Sequence, residues 1–249
     1  MDGKVVIVTG ASRGIGRHLS QRFFATGASV ATCSRSELEQ PPAAEGSDGS
    51  QRQRTFHEAC DQRRSEEIDS FLDDTISRFG RIDVLINNAG GSPLRETASA
   101  PAEFHRENLE NNLLGPLLFS IAAYRRMQEQ PSGGSIINIS SSASSGAGAP
   151  AGLVSYGAAK AGLNQLTRSL AKEWAPLIRV NCLILGPIET ENLWREAMPD
   201  EAARERLVGS IPMGRIGQAD EVAEACLYLC SPGAAYITGA ALAIDGGLS

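Results

Sequence analysis

VVIVTGASRGIG, from Val5 to Gly16, carries the first decision about this chain. The run Lys4–Val8 is β-branched from Val5 onward, which favours a strand, and its unbroken apolar character suits a strand covered on both faces. Gly10, Gly14 and Gly16 follow with G-x-x-x-G-x-G spacing. Glycine permits a tight turn and lets a ligand approach the backbone. A helix opening at Gly14 offers free N–H groups and the positive end of its dipole. Ser12, Arg13 and Ile15 occupy the turn between the glycines. Strand, glycine turn and helix in this order read as the start of a crossover unit and as a seat for a pyrophosphate.

Working outward, the same alternation recurs. Strands are expected at Ser29–Cys33, Thr55–Glu58, Ile82–Ile86, Ser135–Ile139, Arg179–Leu183 and Ala240–Ile244. Helices are expected at about Gly14–Ala25, Ser65–Phe79, Asn112–Glu129, Leu153–Trp174 and Asp220–Leu229. Regular alternation predicts one α/β domain over residues 1–249, a doubly wound parallel sheet of about seven strands with helices on both faces. Ser36–Arg54 breaks the pattern. Pro41-Pro42 and a Gly/Ser/Asp run predict a short helical turn and then a mobile surface loop.

The chain has 249 residues, net charge −6 and 42% apolar residues. No Lys/Arg cluster suggests a nucleic acid or an anionic membrane as partner. The five cysteines form no Cys-x-x-Cys, and buried free thiols are expected rather than a disulfide or a metal site. No apolar run approaches membrane-spanning or signal-peptide length, so a cytoplasmic location is expected.

Beyond the glycine turn, the sequence carries NNAG (Asn87–Gly90), Tyr156 and Lys160, RVN (Arg179–Asn181), GPIET (Gly186–Thr190) and ITGAALAIDGG (Ile237–Gly247). In order and spacing these resemble the short-chain dehydrogenase/reductase family over essentially the whole chain. The resemblance implies a Rossmann-type fold and hydride transfer between a nicotinamide cofactor and a carbonyl or alcohol. It implies cofactor contacts from Gly10, Ser12, Arg13, Gly14, Ile15 and Gly16, and from Asn88, Ala89 and Gly90. Gly186, Pro187, Ile188 and Thr190 would line the nicotinamide end, with a substrate lid over residues 189–212.

The choice of dinucleotide turns on the end of the second strand, ATCSRS. Ser34 stands where NAD-preferring relatives resemble one another in carrying an acid, and Arg35 follows it. Arg13 is a second guanidinium for the same corner. Two guanidinium groups and no carboxylate suit a 2′-phosphate, so NADP(H) is expected, with NAD(H) second. Asp61 resembles the family's adenine-contacting acid and reads equally well as a turn residue.

Tyr156 and Lys160 lie four apart on a helix and share a face. A phenol titrates near ~10 in water, and a neighbouring ammonium favours the phenolate. The resemblance implies that Tyr156 exchanges the proton, that Lys160 lowers its pKa and holds the ribose, and that Asn112 ties a relay to Lys160. A second donor must polarise the carbonyl oxygen. Counting forward along GSIINISS selects Ser141. Counting back from Tyr156 lands on Ala143, which cannot donate. A lengthened loop within Ser142–Gly152 reconciles the two and leaves Ser141 on the rigid strand, with Ser142 and Ser144 in reserve. Leu185 replaces the proline relatives often carry before Gly186.

Leu193, Trp194 and Met198 in the lid suggest a small-molecule carbonyl or alcohol with apolar bulk. Reductases of 3-oxoacyl thioesters are the alternative reading, although no basic residue stands at Ser132 or Pro176–Leu177, where carrier-docking positions fall. A dinucleotide-binding sensor with decayed catalysis is the alternative from another class, resting on Ala143 and Leu185. Ala158, Ala159, Ala161 and Gly162 make a small-residue helix face that suits a homotetramer or homodimer.

Overall fold

The computed structural model describes residues 1–38, 41, 53–145, 149–191, 193 and 200–248. Seven strands form one parallel sheet: β1 (Val5–Thr9), β2 (Ser29–Ser34), β3 (Thr55–Ala59), β4 (Val84–Asn87), β5 (Gly134–Ser141), β6 (Ile178–Leu185) and β7 (Ala241–Ile244). Their spatial order is β3-β2-β1-β4-β5-β6-β7. The order reverses between β1 and β4. Such a switch point opens a crevice at the carboxyl ends of the strands.

Side chains alternate across β1. Val6 and Val8 pack on one face with Leu19, Phe23 and Val222, and Ile7 packs on the other with Phe71, Phe119 and Trp174. The first face is covered by α1 (Gly14–Ala25) and the second by α2 (Ser65–Phe79). In α2, Ile68, Phe71, Leu72 and Thr75 give the i, i+3, i+4, i+7 stripe of a one-sided helix. Glu66 and Glu67 sit at its positive end, and Gly80 stops it in a left-handed cap whose N–H bonds the Ile76 carbonyl at 2.7 Å. Among the described residues no helix is long and apolar enough to cross a membrane.

The expected helix Asn112–Glu129 starts earlier and is not uniform. It comprises α3 (Ala102–Leu109), a π-helical turn (Glu110–Leu114) and α4 (Gly115–Met127). Pro116 explains the wide turn: it has no N–H to give the Asn112 carbonyl four residues back. Gly115 N–H instead reaches five residues back to Glu110, and the side chain of Gln62 donates to the freed Asn111 carbonyl at 2.8 Å. The remaining helices are α5 (Val154–Trp174), α6 (Glu201–Ser210) and α7 (Ala219–Cys230). Helix α6 lies within the segment read as a lid and was not expected; Asp200 caps it by accepting from Ala203 N–H at 2.7 Å. Of the Ser36–Arg54 loop, residues 39–40 and 42–52 lie outside the described residues.

Candidate active site

The glycine turn is built against the loop that follows β4. Thr9 Oγ1 accepts from Asn88 N–H at 3.1 Å and Ala89 N–H at 2.9 Å, and Asn88 Nδ2 donates to Thr9 O at 2.9 Å and Gly10 O at 3.2 Å. A Cβ on Gly10 would sit 2.6 Å from Ala89 Cα, and one on Gly16 would collide with Gly10 O and Asn88 Nδ2. Both glycines are therefore required by close backbone approach. Gly10 and Gly14 also have positive φ.

The mouth of this turn suits an anion. Arg13 occupies the N-cap of α1 without a side-chain capping bond, and no acid stands in the first turn. The helix amides and their dipole thus face solvent beside an exposed guanidinium, as a pyrophosphate requires. Thr190 closes the far side, its methyl 3.6 Å from where a Gly14 Cβ would be. Ile188 is buried and bridges to Gly217, whose N–H bonds Pro187 O at 3.0 Å, while Gly186 packs on the Asp245 backbone.

At the corner expected to take the adenosine ribose, Ser34 is buried and donates its hydroxyl to Ser36 O at 2.9 Å, and Arg35 is exposed. Asp61 has the turn geometry that the sequence left open. It accepts from Arg63 N–H at 3.0 Å and from the Arg63 guanidinium at 2.6 Å. That ion pair holds its carboxyl below the usual range, with Arg35 adding to the effect.

The groups expected to react gather where β5 ends. Strand β5 runs to Ser141, two residues past the expected end, and α5 packs beside it. Ser141 Oγ accepts from Ala143 N–H at 3.2 Å. Burial pushes the Tyr156 phenol above its ordinary value, and the Ser141 hydroxyl pulls it back down. The structure brings Ser141, not Ala143, to Tyr156. Ala143 is buried, and its carbonyl approaches the helix because residue 157 is glycine; a Cβ there would lie 2.8 Å from it. Ser144 turns inward and Ser142 is half-buried beside it.

Lys160 is 3% exposed and donates Nζ to Ile139 O at 2.8 Å. Burial lowers its pKa to about 8. Its ammonium is 5.8 Å from the Tyr156 ring centroid. The expectation that Lys160 lowers the tyrosine is thus modified: in the free chain its proton donor is engaged by a carbonyl, and Ser141 supplies the downward pull. Asn112 is fully buried in the π turn. Its Oδ1 accepts from Gly91 N–H at 2.8 Å, and its Nδ2 donates to Gly91 O and Asn108 O. A Cβ on Gly90 would lie 2.5 Å from Asn112 Oδ1 and 3.4 Å from Lys160 Nζ, which places all three together. Wide turns of this kind are frequent at functional sites.

Three features escaped sequence reading. Thr9 holds the two loops together, Asn164 sits in a buried polar network below Ser141, and His105 joins Ser155 at 3.1 Å to the Thr97 carbonyl at 3.3 Å. The signal for Thr9 was present in its place between strand and glycine. The other two look in sequence like ordinary polar helix residues. In the lid, Leu193 is half-buried and gives its N–H to Thr190 Oγ1 at 3.2 Å, whereas Trp194 and Met198 lie outside the described residues. The small-residue face divides: Ala158 and Ala161 are exposed, but Ala159 is buried and Gly162 packs on Leu113 of the same chain. Ser132 has a cation beside it after all, since Arg81 donates to its hydroxyl at 2.6 Å.

Residues 10–249 match the family model described as Enoyl-(Acyl carrier protein) reductase. The chain is 38% identical to L-fucose dehydrogenase of Oryctolagus cuniculus over 98% of its length and 84% of that protein's. It is 36% identical to L-rhamnose 1-dehydrogenase (NAD(P)(+)) of Azotobacter vinelandii, over 98% of this chain and 96% of the relative. Among solved structures it is similar to a short chain dehydrogenase from Bacillus anthracis, with TM-score 0.87, 32% identity and coverage of 99% and 96%. A variant of actinorhodin polyketide ketoreductase with NADPH also gives TM-score 0.87, at 32% identity over 98% and 97%. Likeness of this extent, on a sheet whose switch point joins a glycine turn to Tyr156 and Lys160, makes this chain a member of the short-chain dehydrogenase/reductase family.

Proposed function

We propose that this chain is an NADP(H)-dependent oxidoreductase acting on a carbonyl or secondary alcohol, with Tyr156 as its acid/base. The observation that carries the reading is buried Lys160, its Nζ 5.8 Å from the Tyr156 ring centroid, set beside Ser141 at the end of β5 and the Asn112–Gly90–Gly91 turn. Gly10, Ser12, Gly14, Ile15 and Gly16 would hold the pyrophosphate, and Arg13, Ser34 and Arg35 the adenosine ribose with its 2′-phosphate. Asp61 would sit at the adenine. Asn88, Ala89 and Gly90, then Lys160, Gly186, Pro187, Ile188 and Thr190, would line the remainder.

When bound, the dinucleotide supplies or accepts a hydride at the substrate carbon. The chain's own groups handle the proton. Ser141, with its Oγ lone pair fixed by Ala143 N–H, directs its proton at the substrate oxygen and at the Tyr156 phenol. Tyr156 gives the substrate oxygen its proton in reduction and takes it back in oxidation. Lys160 presents donors toward the ribose from its anchor on Ile139, and Asn112 fixes the backbone beside it.

A 3-oxoacyl thioester remains the alternative substrate, although the Arg81 guanidinium beside Ser132 is already paired with Asp83 at 2.7 Å. A sugar hydroxyl is a second reading, favoured by the likeness to L-fucose and L-rhamnose dehydrogenases. The exposed Ala158 and Ala161 support a homodimer or homotetramer, and a cytoplasmic location accords with five free thiols. The test is nucleotide turnover by purified protein against ketones, diketones, 3-oxoacyl thioesters, L-fucose and L-rhamnose, with Tyr156→Phe as control. Turnover that Tyr156→Phe abolishes supports the enzyme. Dinucleotide binding with no turnover across the panel supports the sensor.

A further inference from the structure

Beneath Ser141 lies a chain of buried and half-buried polar groups. Ser144 donates its hydroxyl to the Ser141 carbonyl at 2.6 Å. Asn164 Nδ2 donates to Ser144 Oγ at 2.8 Å, and Cys182 Sγ donates to Asn164 Oδ1 at 3.3 Å. Ser140 adds a strut, its hydroxyl 3.3 Å from the Lys160 carbonyl. Asn164 is one helical turn beyond Lys160 and two beyond Tyr156. It is 7% exposed, and both ends of its amide are satisfied.

We infer that Asn164 and Ser144 are a positioning pair which sets the distance between the Ser141 and Tyr156 hydroxyls. Ser141 sits at the last position of β5, where its pairing with Leu185 ends the ladder, and a short 3-10 turn begins at once. The side chain of Ser144, inside that turn, returns to the Ser141 backbone, and Asn164 fixes Ser144 to the helix that carries Tyr156. The end of the strand and the reactive face of α5 are thereby joined by two hydrogen bonds. Cys182 on β6 keeps the amide from turning over, because its S–H leaves the oxygen facing β6 and the NH2 facing Ser144. Neither residue of the pair is assigned above to cofactor or substrate. Ser140 ties the pair to the Lys160 backbone as well, but its link to a proposed reacting hydroxyl runs through Ser141, and the inference rests on the proposed role of Ser141 and Tyr156.

That routing makes it testable in the cofactor-free chain. Tyr156 is titrated by NMR with 13Cζ-labelled tyrosine, and its signal is assigned with Tyr156→Phe. The titratable groups around it are Lys160 on its own helix, Cys182 on β6, and His105 of α3 through Ser155. Asn164→Leu and Ser144→Ala are expected to raise the Tyr156 midpoint as Ser141→Ala does, with Ser144→Thr restoring it. In turnover, each lowers kcat by roughly 10- to 100-fold, the scale of a misplaced catalytic group, with NADPH Kd within about twofold. In a Ser141→Ala background, Asn164→Leu costs less than about twofold more. If Asn164→Leu unfolds the chain, Ser144→Ala decides. Wild-type midpoint and kcat in Ser144→Ala, or multiplicative losses in the double variant, overturn the inference while leaving the proposed function standing. An unchanged Ser141→Ala overturns both.

Discussion

Lys160 donates its buried ammonium to the Ile139 carbonyl at 2.8 Å, across the seam between α5 and β5. One hydrogen bond compensates only part of the cost of desolvating a charge. The cost shows as a pKa near 8 against an ordinary 10.5. The folded chain therefore binds fewer protons than the unfolded chain between those values, and stability rises with pH across that window. At pH 7 the penalty has an upper bound of about 3 kcal/mol. Lys160→Met is expected to be more stable than wild type by about 1–3 kcal/mol at pH 7 while losing turnover, and the gap should close by pH 10.5. Urea unfolding at pH 7 and pH 10 checks this; a less stable variant at pH 7 would contradict it.

Tyr156 is raised by burial and lowered by Ser141. Its phenol in the free chain is expected to titrate above the value for water, and the positively charged nicotinamide ring of bound oxidised dinucleotide is expected to draw it down. Tyr156→Phe should reduce turnover below detection while NADPH affinity changes less than about threefold, because the phenol's hydroxyl acts on the substrate oxygen. Cofactor fluorescence and single-turnover rates separate the two quantities.

Gly16 has no room for a methyl group, since a Cβ would enter Gly10 O and Asn88 Nδ2. Backbone on one side and a doubly bonded amide on the other cannot yield cheaply. Gly16→Ala is expected to lose about 1–3 kcal/mol of stability and to weaken NADPH binding at least tenfold. Retained affinity in isothermal titration would show that the turn tolerates distortion.

The inner strands were legible because runs such as VVIVT in β1 are β-branched and covered on both faces, β3 and β7 because they fall in step with the alternation, and the glycine turn because its spacing and position coincide. The ends were less so. Ser140 and Ser141 have no strand signal of their own and join β5 only through pairing with Ile184 and Leu185. The π turn is written in sequence only as Pro116, whose missing N–H has many outcomes. Helix α6 buries none of its residues, so it has no apolar stripe to read. The pairing of Asn164 with Ser144 could not be read from a helix and a serine-rich loop, because the two are twenty residues apart along the chain.

Among the described residues, Arg35 and Arg13 are exposed cations at the proposed ribose corner, and Ser34 keeps its hydroxyl on Ser36 O. The guanidinium groups, more than the serine, must then carry any preference for a 2′-phosphate. A charge-assisted bond to phosphate contributes about 1.5–3 kcal/mol, or roughly 10- to 100-fold. Arg35→Asp replaces that attraction with repulsion of the phosphate and offers a carboxylate to a 2′-hydroxyl. It is expected to shift the NADPH/NADH ratio of kcat/KM by at least about 100-fold toward NADH, and Arg35→Ala by about tenfold. The Asp61–Arg63 ion pair adds a control, for Arg63 is already neutralised by its partner. Arg63→Ala should therefore move the ratio by less than about threefold. An unchanged ratio in Arg35→Asp, measured as initial rates with both nucleotides, would remove the basis for NADP(H) as the preferred cofactor.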